Sequence, residues 1–100
     1  MNLKYLRMLK GMKKTSAAKD WSIYIVRCSD DSLYTGATKD LDARLRKHNA
    51  GKGAAYTRSR RPVLKIHEES GLTRSEALVR EARIKSLPRS RKEHLVYGHD

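Results

Sequence analysis

Apolar and polar positions along the chain follow patterns that predict three short strands. β-Branched and aromatic residues are concentrated in residues 21–28 and again in 33–38, as is typical of half-buried strands. The polar sequence at 29–32 is typical of a turn, so these two strands should form a β-hairpin. A third strand is expected over residues 63–68, directly after Pro62.

Helical spacing first occurs after the hairpin. Leu41, Leu45 and His48 fall at i, i+4 and i+7, which places them on one face of a helix over residues 40–50. The glycine that follows is a natural end for this helix. The glycine, alanine and lysine residues at 51–57 then indicate a loop.

Two more helices are predicted near the end of the chain. Residues 73–76 read T-R-S-E, the form of a capping box, and predict a helix that runs to about Ser86 after a turn at 70–71. Pro88 suits the first turn of a shorter helix over 89–96. The order ββαβαα indicates an α/β domain, with a small three-stranded mixed or antiparallel sheet flanked by about three helices.

The chain has 100 residues, which suits one domain, and no apolar run is long enough to span a membrane. We expect a folded domain at 21–97, a basic N-terminal extension at 1–20 and a tail at 98–100. Within the extension, apolar residues follow helical spacing at Tyr5, Met8, Leu9 and Met12. The preferred interpretation is a flexible tail, or an upstream start codon with translation beginning near Met12. A basic amphipathic helix and an organellar transit peptide are the alternatives.

Net charge narrows the function class. Lys and Arg number 23 against 11 Asp and Glu, a net charge of +12, and both halves of the chain are basic. Such an excess is typical of domains that bind nucleic acid. Cys28 is the single cysteine, so an intramolecular disulfide and a cysteine-based zinc site are excluded. A reducing, cytoplasmic compartment fits this cysteine content.

Positive charge is uninterrupted by acids between Asp42 and Glu68. Eight bases occupy this window: Arg44, Arg46, Lys47, Lys52, Arg58, Arg60, Arg61 and Lys65. One sign of charge suits a phosphate backbone, although a solvated surface is the common alternative. An aromatic residue in the window is a candidate either for stacking on a base or for ordinary packing. The candidate nucleic-acid-binding residues are Arg46, Lys47, Lys52, Tyr56, Arg58, Arg60 and Arg61.

Four side chains on the hairpin and the first helix could do chemistry together. Tyr24 and Tyr34 lie on the two strands, and Arg44 and His48 share a helix face at i, i+4. Strand register decides whether the two tyrosines meet, because side chains alternate between the faces of a sheet. A two-residue turn would place the tyrosines on opposite faces, whereas a three- or five-residue loop, or a β-bulge, would place both on one face.

Glu81 is an acid among apolar neighbours in the second predicted helix. It lies three residues after Leu78 and three before Ile84, so it should face inward, where an unpaired carboxylate is costly. It therefore needs a cation, either Arg44, Arg83 or a metal ion. Taken singly, each of these residues is as well explained by packing or by an ordinary ion pair.

The combination resembles the GIY-YIG nuclease domain, and its small single-domain bacterial branch in particular. The residues that carry the resemblance are Ser22-Ile23-Tyr24, Tyr34-Thr35-Gly36, Thr38, Arg44, His48, the sequence at 51–58 and Glu81. The resemblance as a whole covers about residues 21–96. The chain departs from the family at Ser22, where the motif has glycine, and at Thr35, where it has isoleucine.

The resemblance implies an endonuclease that hydrolyses phosphodiester bonds with a divalent metal, on DNA rather than RNA. Tyr24 is preferred as general base, with its pKa lowered by nearby positive charge, and Tyr34 would orient the water or the phosphate. Arg44 would bind the scissile phosphate, with His48 assisting. Glu81 would hold one Mg²⁺ or Mn²⁺ ion, weakly without substrate. DNA repair, recombination and the control of mobile DNA all fit such an activity.

Two other functions stay open. Many family members carry a late Asn in the active site, and this chain has no Asn after Asn49. A basic nucleic-acid-binding domain with a degenerate nuclease site is therefore one alternative. A structural protein of a ribonucleoprotein, with the tyrosines as packing, is the other.

Overall fold

Three antiparallel strands in the order β2-β1-β3 form the centre of the computed structural model, which describes residues 18–98. The strands are β1 (Trp21–Arg27), β2 (Leu33–Thr38) and β3 (Leu64–Leu72). The predicted sheet of three strands is confirmed, and all of its pairings are antiparallel. The amphipathic spacing predicted for the N-terminal extension lies outside the described residues.

Within residues 18–98, four helices accompany the sheet: α1 (Leu41–Asn49), α2 (Ala55–Arg58), α3 (Arg74–Lys85) and α4 (Arg89–Tyr97). The observed order is ββααβαα, so the prediction of an uninterrupted loop at 51–57 is wrong. Its second half forms the single turn α2, which packs beside α1. None of the helices between residues 18 and 98 has the length and apolar character needed to cross a bilayer.

The third strand is longer than its sequence pattern predicts. It continues through the predicted turn at 70–71 to Leu72. The pairing with β1 shifts by one residue between Trp21 and Ile23, so β3 carries an extra residue there. Such a β-bulge accommodates turn-forming residues within a strand, and Gly71 adopts a positive φ of 73°.

The hairpin loop has five residues, 28–32, which is one of the lengths expected to place both tyrosines on one face. Tyr24 lies opposite Gly36, and Tyr34 lies opposite Val26. Because Val26 is two residues beyond Tyr24 on the same strand, both tyrosines project from the same face of the sheet. The register therefore confirms that the two tyrosines share a face.

Each face of the sheet packs on a different helical layer. Ile23 and Ile25 project toward α3 and α4 and pack against Ile84. Tyr24 projects from the opposite face, toward α1, where Leu45 packs against its cluster. The face that carries the tyrosines is thus the face that α1 covers.

The start of α3 is set by the predicted capping box. Thr73 Oγ1 accepts a hydrogen bond from the Glu76 backbone N–H at 3.1 Å, and Glu76 Oε1 accepts one from the Thr73 N–H at 2.8 Å. Both bonds satisfy backbone donors that a helix start otherwise leaves unpaired. The helix that carries Glu81 therefore begins at a defined residue.

Candidate active site

The centre of the site is a buried contact between Tyr24 and His48. Tyr24 is 1% exposed and His48 is fully buried. Tyr24 Oη lies 2.8 Å from His48 Nε2. Gly36, opposite Tyr24 on β2, makes room for this ring, because a β-carbon at position 36 would collide with the Tyr24 hydroxyl. Gly36 of the second motif thus makes room for the tyrosine of the first motif.

Arg44 is the second partner of the Tyr24 hydroxyl. Its Nε donates to Tyr24 Oη at 3.4 Å, and its charge also acts on Tyr34. Within residues 18–98, Arg44 pairs with no carboxylate, so its positive charge is not neutralised by an ion pair. The hydrogen bond to Tyr24 raises the pKa of the Arg44 guanidinium above its ordinary value. Arg44 is therefore a cation at the side of two tyrosines.

The hydroxyl of Tyr24 is protonated at neutral pH. Burial raises the pKa of Tyr24 above its ordinary value, and this outweighs the lowering by Arg44. Arg44 does lower this pKa, as the sequence indicates, but the expected net lowering is wrong because desolvation of the ring has the larger effect. Tyr24 can therefore accept a proton from another group only if it donates its own hydroxyl proton to a neighbour.

His48 is the group that can accept that proton. Burial lowers the pKa of its imidazole, and the Arg44 charge lowers it further. The ring is therefore neutral near pH 7 and keeps one bare nitrogen. Its second nitrogen, Nδ1, lies 2.7 Å from Thr57 Oγ1.

Tyr34 forms the outer wall of the site. Its ring is half-buried, meets the His48 ring edge-on at 5.4 Å between centroids, and stacks on Tyr56 at 6.0 Å. The Lys85 ammonium lies 5.9 Å from the Tyr34 ring centroid. Tyr34 thus connects the buried tyrosine–histidine pair with the exposed surface.

Glu81 faces inward, as its neighbours in sequence predict, and its side chain is only 19% exposed. Its cation partner is Lys85, whose Nζ lies 2.9 Å from Glu81 Oε2. The structure shows no ion pair between Glu81 and either Arg44 or Arg83, the two expected side chains. The carboxylate is nonetheless close enough to Tyr24 for its charge to contribute to raising the pKa of that hydroxyl.

Comparison with known families identifies the domain that carries these residues. The sequence profile of the GIY-YIG catalytic domain matches residues 20–94. This chain belongs to the GIY-YIG family. GIY-YIG domains are characteristic of a nuclease superfamily whose members typically use divalent metals.

Among GIY-YIG relatives, the chain is similar to the UPF0213 proteins. It is 58% identical over 74 residues to one from Haloquadratum walsbyi, which covers 74% of this chain and 83% of that protein. It is 54% identical over 74 residues to one from Staphylococcus aureus, with 74% and 90% covered. Most of the described GIY-YIG domain is thus shared with these small proteins.

Two solution structures share the fold. The UPF0213 protein of Bacillus halodurans is 43% identical, with a TM-score of 0.52 over 77% of this chain and 82% of that one. A protein of E. faecalis is 40% identical, with a TM-score of 0.55 over 85% of this chain and 95% of that one. These likenesses agree with a small GIY-YIG fold in the described residues.

Thr57 and Lys85 contact candidate site residues although the sequence analysis did not single them out. Thr57 is fully buried and touches His48, nine residues away in sequence. Nothing in the local pattern indicates that contact, because it depends on how α2 folds back on α1. Lys85 could have been found, since it lies four residues after Glu81 on one helix, the spacing of an ion pair.

The candidate nucleic-acid-binding bases fall into two groups. Arg46, Lys47, Lys52 and Arg58 are exposed, on α1, on the loop after it and on α2. Within residues 18–98 these four side chains form no ion pair with a carboxylate. They carry positive charge on the helical layer that covers the tyrosine face of the sheet.

Arg60 and Arg61 have structural partners instead. Arg60 pairs with Asp30 at 3.0 Å, and its guanidinium lies 3.9 Å from the centroid of the Tyr56 ring. Arg61 Nε donates to the backbone carbonyl of Arg58 at 3.0 Å. Tyr56, 40% exposed, is thus packed against Arg60 as well as Tyr34, which was one of its two predicted roles.

Proposed function

We propose that this chain is an endonuclease that hydrolyses phosphodiester bonds in nucleic acid, in DNA rather than RNA, with a divalent metal. The observation that carries the proposal is the hydrogen-bonded chain from Arg44 through Tyr24 to His48, beside the carboxylate of Glu81. It combines a cation, a proton acceptor and an acid in one largely buried cluster. Membership of the GIY-YIG family supports the same reaction.

Proton transfer in this proposal uses two side chains. A water gives a proton to Tyr24 Oη while the proton of Tyr24 moves to His48 Nε2, 2.8 Å away. The resulting hydroxide oxygen bonds to phosphorus, and the bond from phosphorus to the leaving oxygen breaks. The leaving oxygen is protonated by solvent. Coupling the two transfers explains how a tyrosine with a raised pKa acts as a base.

Arg44 is the residue that stabilises the negative charge of the reacting phosphate. Its Nε contacts Tyr24, and a guanidinium has further N–H groups that suit phosphate oxygens. The extra negative charge of the transition state is then stabilised next to the attacking water. Tyr34, on the exposed side, orients the water or the phosphate.

Glu81 is suited to be the single protein ligand of a divalent cation. Among residues 18–98 no three His, Cys, Asp or Glu side chains are grouped to hold a metal, so substrate oxygens and waters must complete the ligand set. Lys85 now holds Glu81 Oε2 at 2.9 Å and would have to release it. When bound, Mg²⁺ or Mn²⁺ would supply positive charge to a phosphate oxygen.

The test is cleavage of labelled single-stranded, duplex, flapped and branched DNA, and of RNA, with Mg²⁺, Mn²⁺ or EDTA. Tyr24→Phe and Glu81→Gln should each lower the rate about a hundredfold or more, because each removes a reacting group. Tyr97→Phe and Glu93→Gln are matched controls. Tyr97 is exposed on α4, and Glu93 forms an i, i+4 pair with Arg89.

Metal-dependent cleavage that is lost in Tyr24→Phe and Glu81→Gln, but kept in the two controls, would establish the enzyme. Cleavage that both active-site variants retain would point to a contaminating nuclease and remove support for the proposed site. Cleavage of RNA in preference to every DNA would overturn the substrate preference alone.

A non-catalytic nucleic-acid binder is the second candidate. The pairing of Glu81 with Lys85 favours it, because an ammonium occupies the position where a cation would bind the carboxylate. In that case binding would persist in Glu81→Gln and no metal would produce cleavage. The same substrate panel distinguishes the two functions.

A further inference from the structure

Thr57 is buried against the side of His48 that faces away from Tyr24. Its hydroxyl oxygen lies 2.7 Å from His48 Nδ1 and 3.0 Å from the backbone carbonyl oxygen of Ala54. Both Thr57 and His48 are fully buried. The loop before α2 also lies close to His48, because a β-carbon at Gly53 would collide with His48 Nδ1.

The partners of Thr57 determine which way its hydrogen bonds run. A carbonyl oxygen only accepts, so the Thr57 hydroxyl donates to Ala54. It then accepts from His48, which places a proton on Nδ1. A neutral imidazole carries one proton, so Nε2 is bare and can accept.

The hydrogen bonds on the Tyr24 side of His48 require the same position for the imidazole proton. Tyr24 Oη has two partners among the described residues, Arg44 Nε and His48 Nε2. Arg44 can only donate, so the buried hydroxyl proton of Tyr24 needs Nε2 as its acceptor. With a proton on Nε2 instead, Tyr24 would receive two donors and its own proton would have no protein acceptor.

We propose that Thr57 is a positioning residue that keeps the His48 proton on Nδ1, so that Nε2 is free to take the proton of Tyr24. This inference rests on the proposed function for its catalytic consequence, while the proton position is a property of the folded chain. It gives the turn α2 a role, since α2 carries Thr57 to His48. Loss of the hydroxyl would favour the tautomer with the proton on Nε2.

The direct test is ¹⁵N NMR of the imidazole of His48 in the full chain at pH 7.5, for the parent, Thr57→Ser and Thr57→Val. Valine keeps the shape of threonine without the hydroxyl. We expect a protonated Nδ1 and a bare Nε2 in the parent and in Thr57→Ser, and a shift of the proton to Nε2 in Thr57→Val. A parent with its proton on Nε2 would overturn the proposal even if Thr57→Val failed to fold.

Kinetics provide the second readout. Thr57→Val should lower kcat about a hundredfold with little change in KM, whereas Thr57→Ser should restore most of the rate. Equal rates in the parent and Thr57→Val, with an unchanged tautomer, would refute the inference and leave the endonuclease intact. A parent that cleaves nothing would refute the endonuclease, and the NMR result would still decide whether Thr57 sets the tautomer.

Discussion

At the scale of single residues, the Tyr24 hydroxyl determines what the site can do. Burial raises its pKa, and Arg44 lowers it by a smaller amount, so the phenol keeps its proton. Its reactivity then depends on a neighbour that can take the proton, and His48 Nε2 is that neighbour. The tyrosine and the histidine therefore act as a unit, and substitutions of the two should not be additive.

Gly36 offers a test of this packing. Gly36→Ala would drive a β-carbon into the Tyr24 hydroxyl, so the ring or β2 must shift. We expect a loss of about 1–3 kcal/mol in the free energy of unfolding, typical of overpacking, together with a large loss of cleavage. Urea denaturation and the cleavage assay measure the two effects.

Gly71→Ala is the matched control on β3. A β-carbon there meets nothing within 4 Å, and the cost comes only from the positive φ of 73°, about 1–2 kcal/mol. Its cleavage should match the parent. Equal activity in Gly36→Ala and Gly71→Ala would show that Gly36 has no role in placing Tyr24.

The buried imidazole of His48 predicts how stability depends on pH. Its pKa lies below the ordinary 6.5 in the folded state, because burial and Arg44 disfavour the charged form. Stability is therefore fully present above pH 6.5 and is lost as pH falls through the folded pKa, since the unfolded chain takes up the proton first. Urea denaturation between pH 8 and pH 5 should show this decline.

The matched variant for the pH prediction is His48→Gln, which cannot titrate. Its stability should depend less on pH than that of the parent over the same interval. The other three histidines of the chain remain in both proteins, so any contribution from them cancels in the comparison. Identical slopes would show that His48 does not carry the depressed pKa.

At the scale of elements, α3 places Glu81 and Lys85 one turn apart at the side of Tyr34. Its start depends on the capping box at Thr73. Thr73→Ala should lower the free energy of unfolding by about 1 kcal/mol, because it leaves a backbone donor at the helix start without its partner. Thermal and urea unfolding measure the loss.

Ser75→Ala is the control for the cap, since Ser75 is exposed in the same first turn of α3. It should change stability by less than about 0.5 kcal/mol. A Thr73→Ala variant as stable as Ser75→Ala would mean that tertiary packing alone sets the start of α3.

The β1–β2 hairpin also positions site residues through its local geometry. Its five-residue loop fixes a register that places both tyrosines on one face of the sheet.

At the scale of the whole molecule, the net charge of +12 predicts nucleic-acid binding that weakens steeply with salt. The exposed bases Lys47 and Arg58 belong to the layer that covers the tyrosine face. Lys47→Ala should weaken binding to every DNA sequence alike and reduce the slope of log affinity against log salt by about 1. Fluorescence anisotropy in EDTA measures binding without cleavage.

Arg83→Ala removes the same charge from the other side of the sheet. Arg83 lines a groove beside β3 together with the acids Glu69 and Glu76. For the Arg83→Ala variant, the slope of log affinity against log salt should stay close to that of the parent. If Lys47→Ala and Arg83→Ala reduced the slope equally, net charge rather than a defined surface would account for binding.

The sequence alone determined the features that depend on neighbours in the chain. The strands, the capping box at Thr73 and the shared helix face of Arg44 and His48 follow from spacings of one to four residues, and the structure has all three. The Glu81–Lys85 pair could have been predicted from its i, i+4 spacing in the same way. The bulge at 70–71 could not have been predicted, because it depends on how β3 pairs with β1.

Tertiary structure decided the chemistry of the site. The contact of Thr57 with His48 and the collision that Gly36 avoids both join residues nine or more positions apart, through packing that no local pattern specifies. The pKa of Tyr24 shows the reason most clearly. The sequence shows that Arg44 is available as a charge, but the desolvation that outweighs it exists only once α1 covers the sheet.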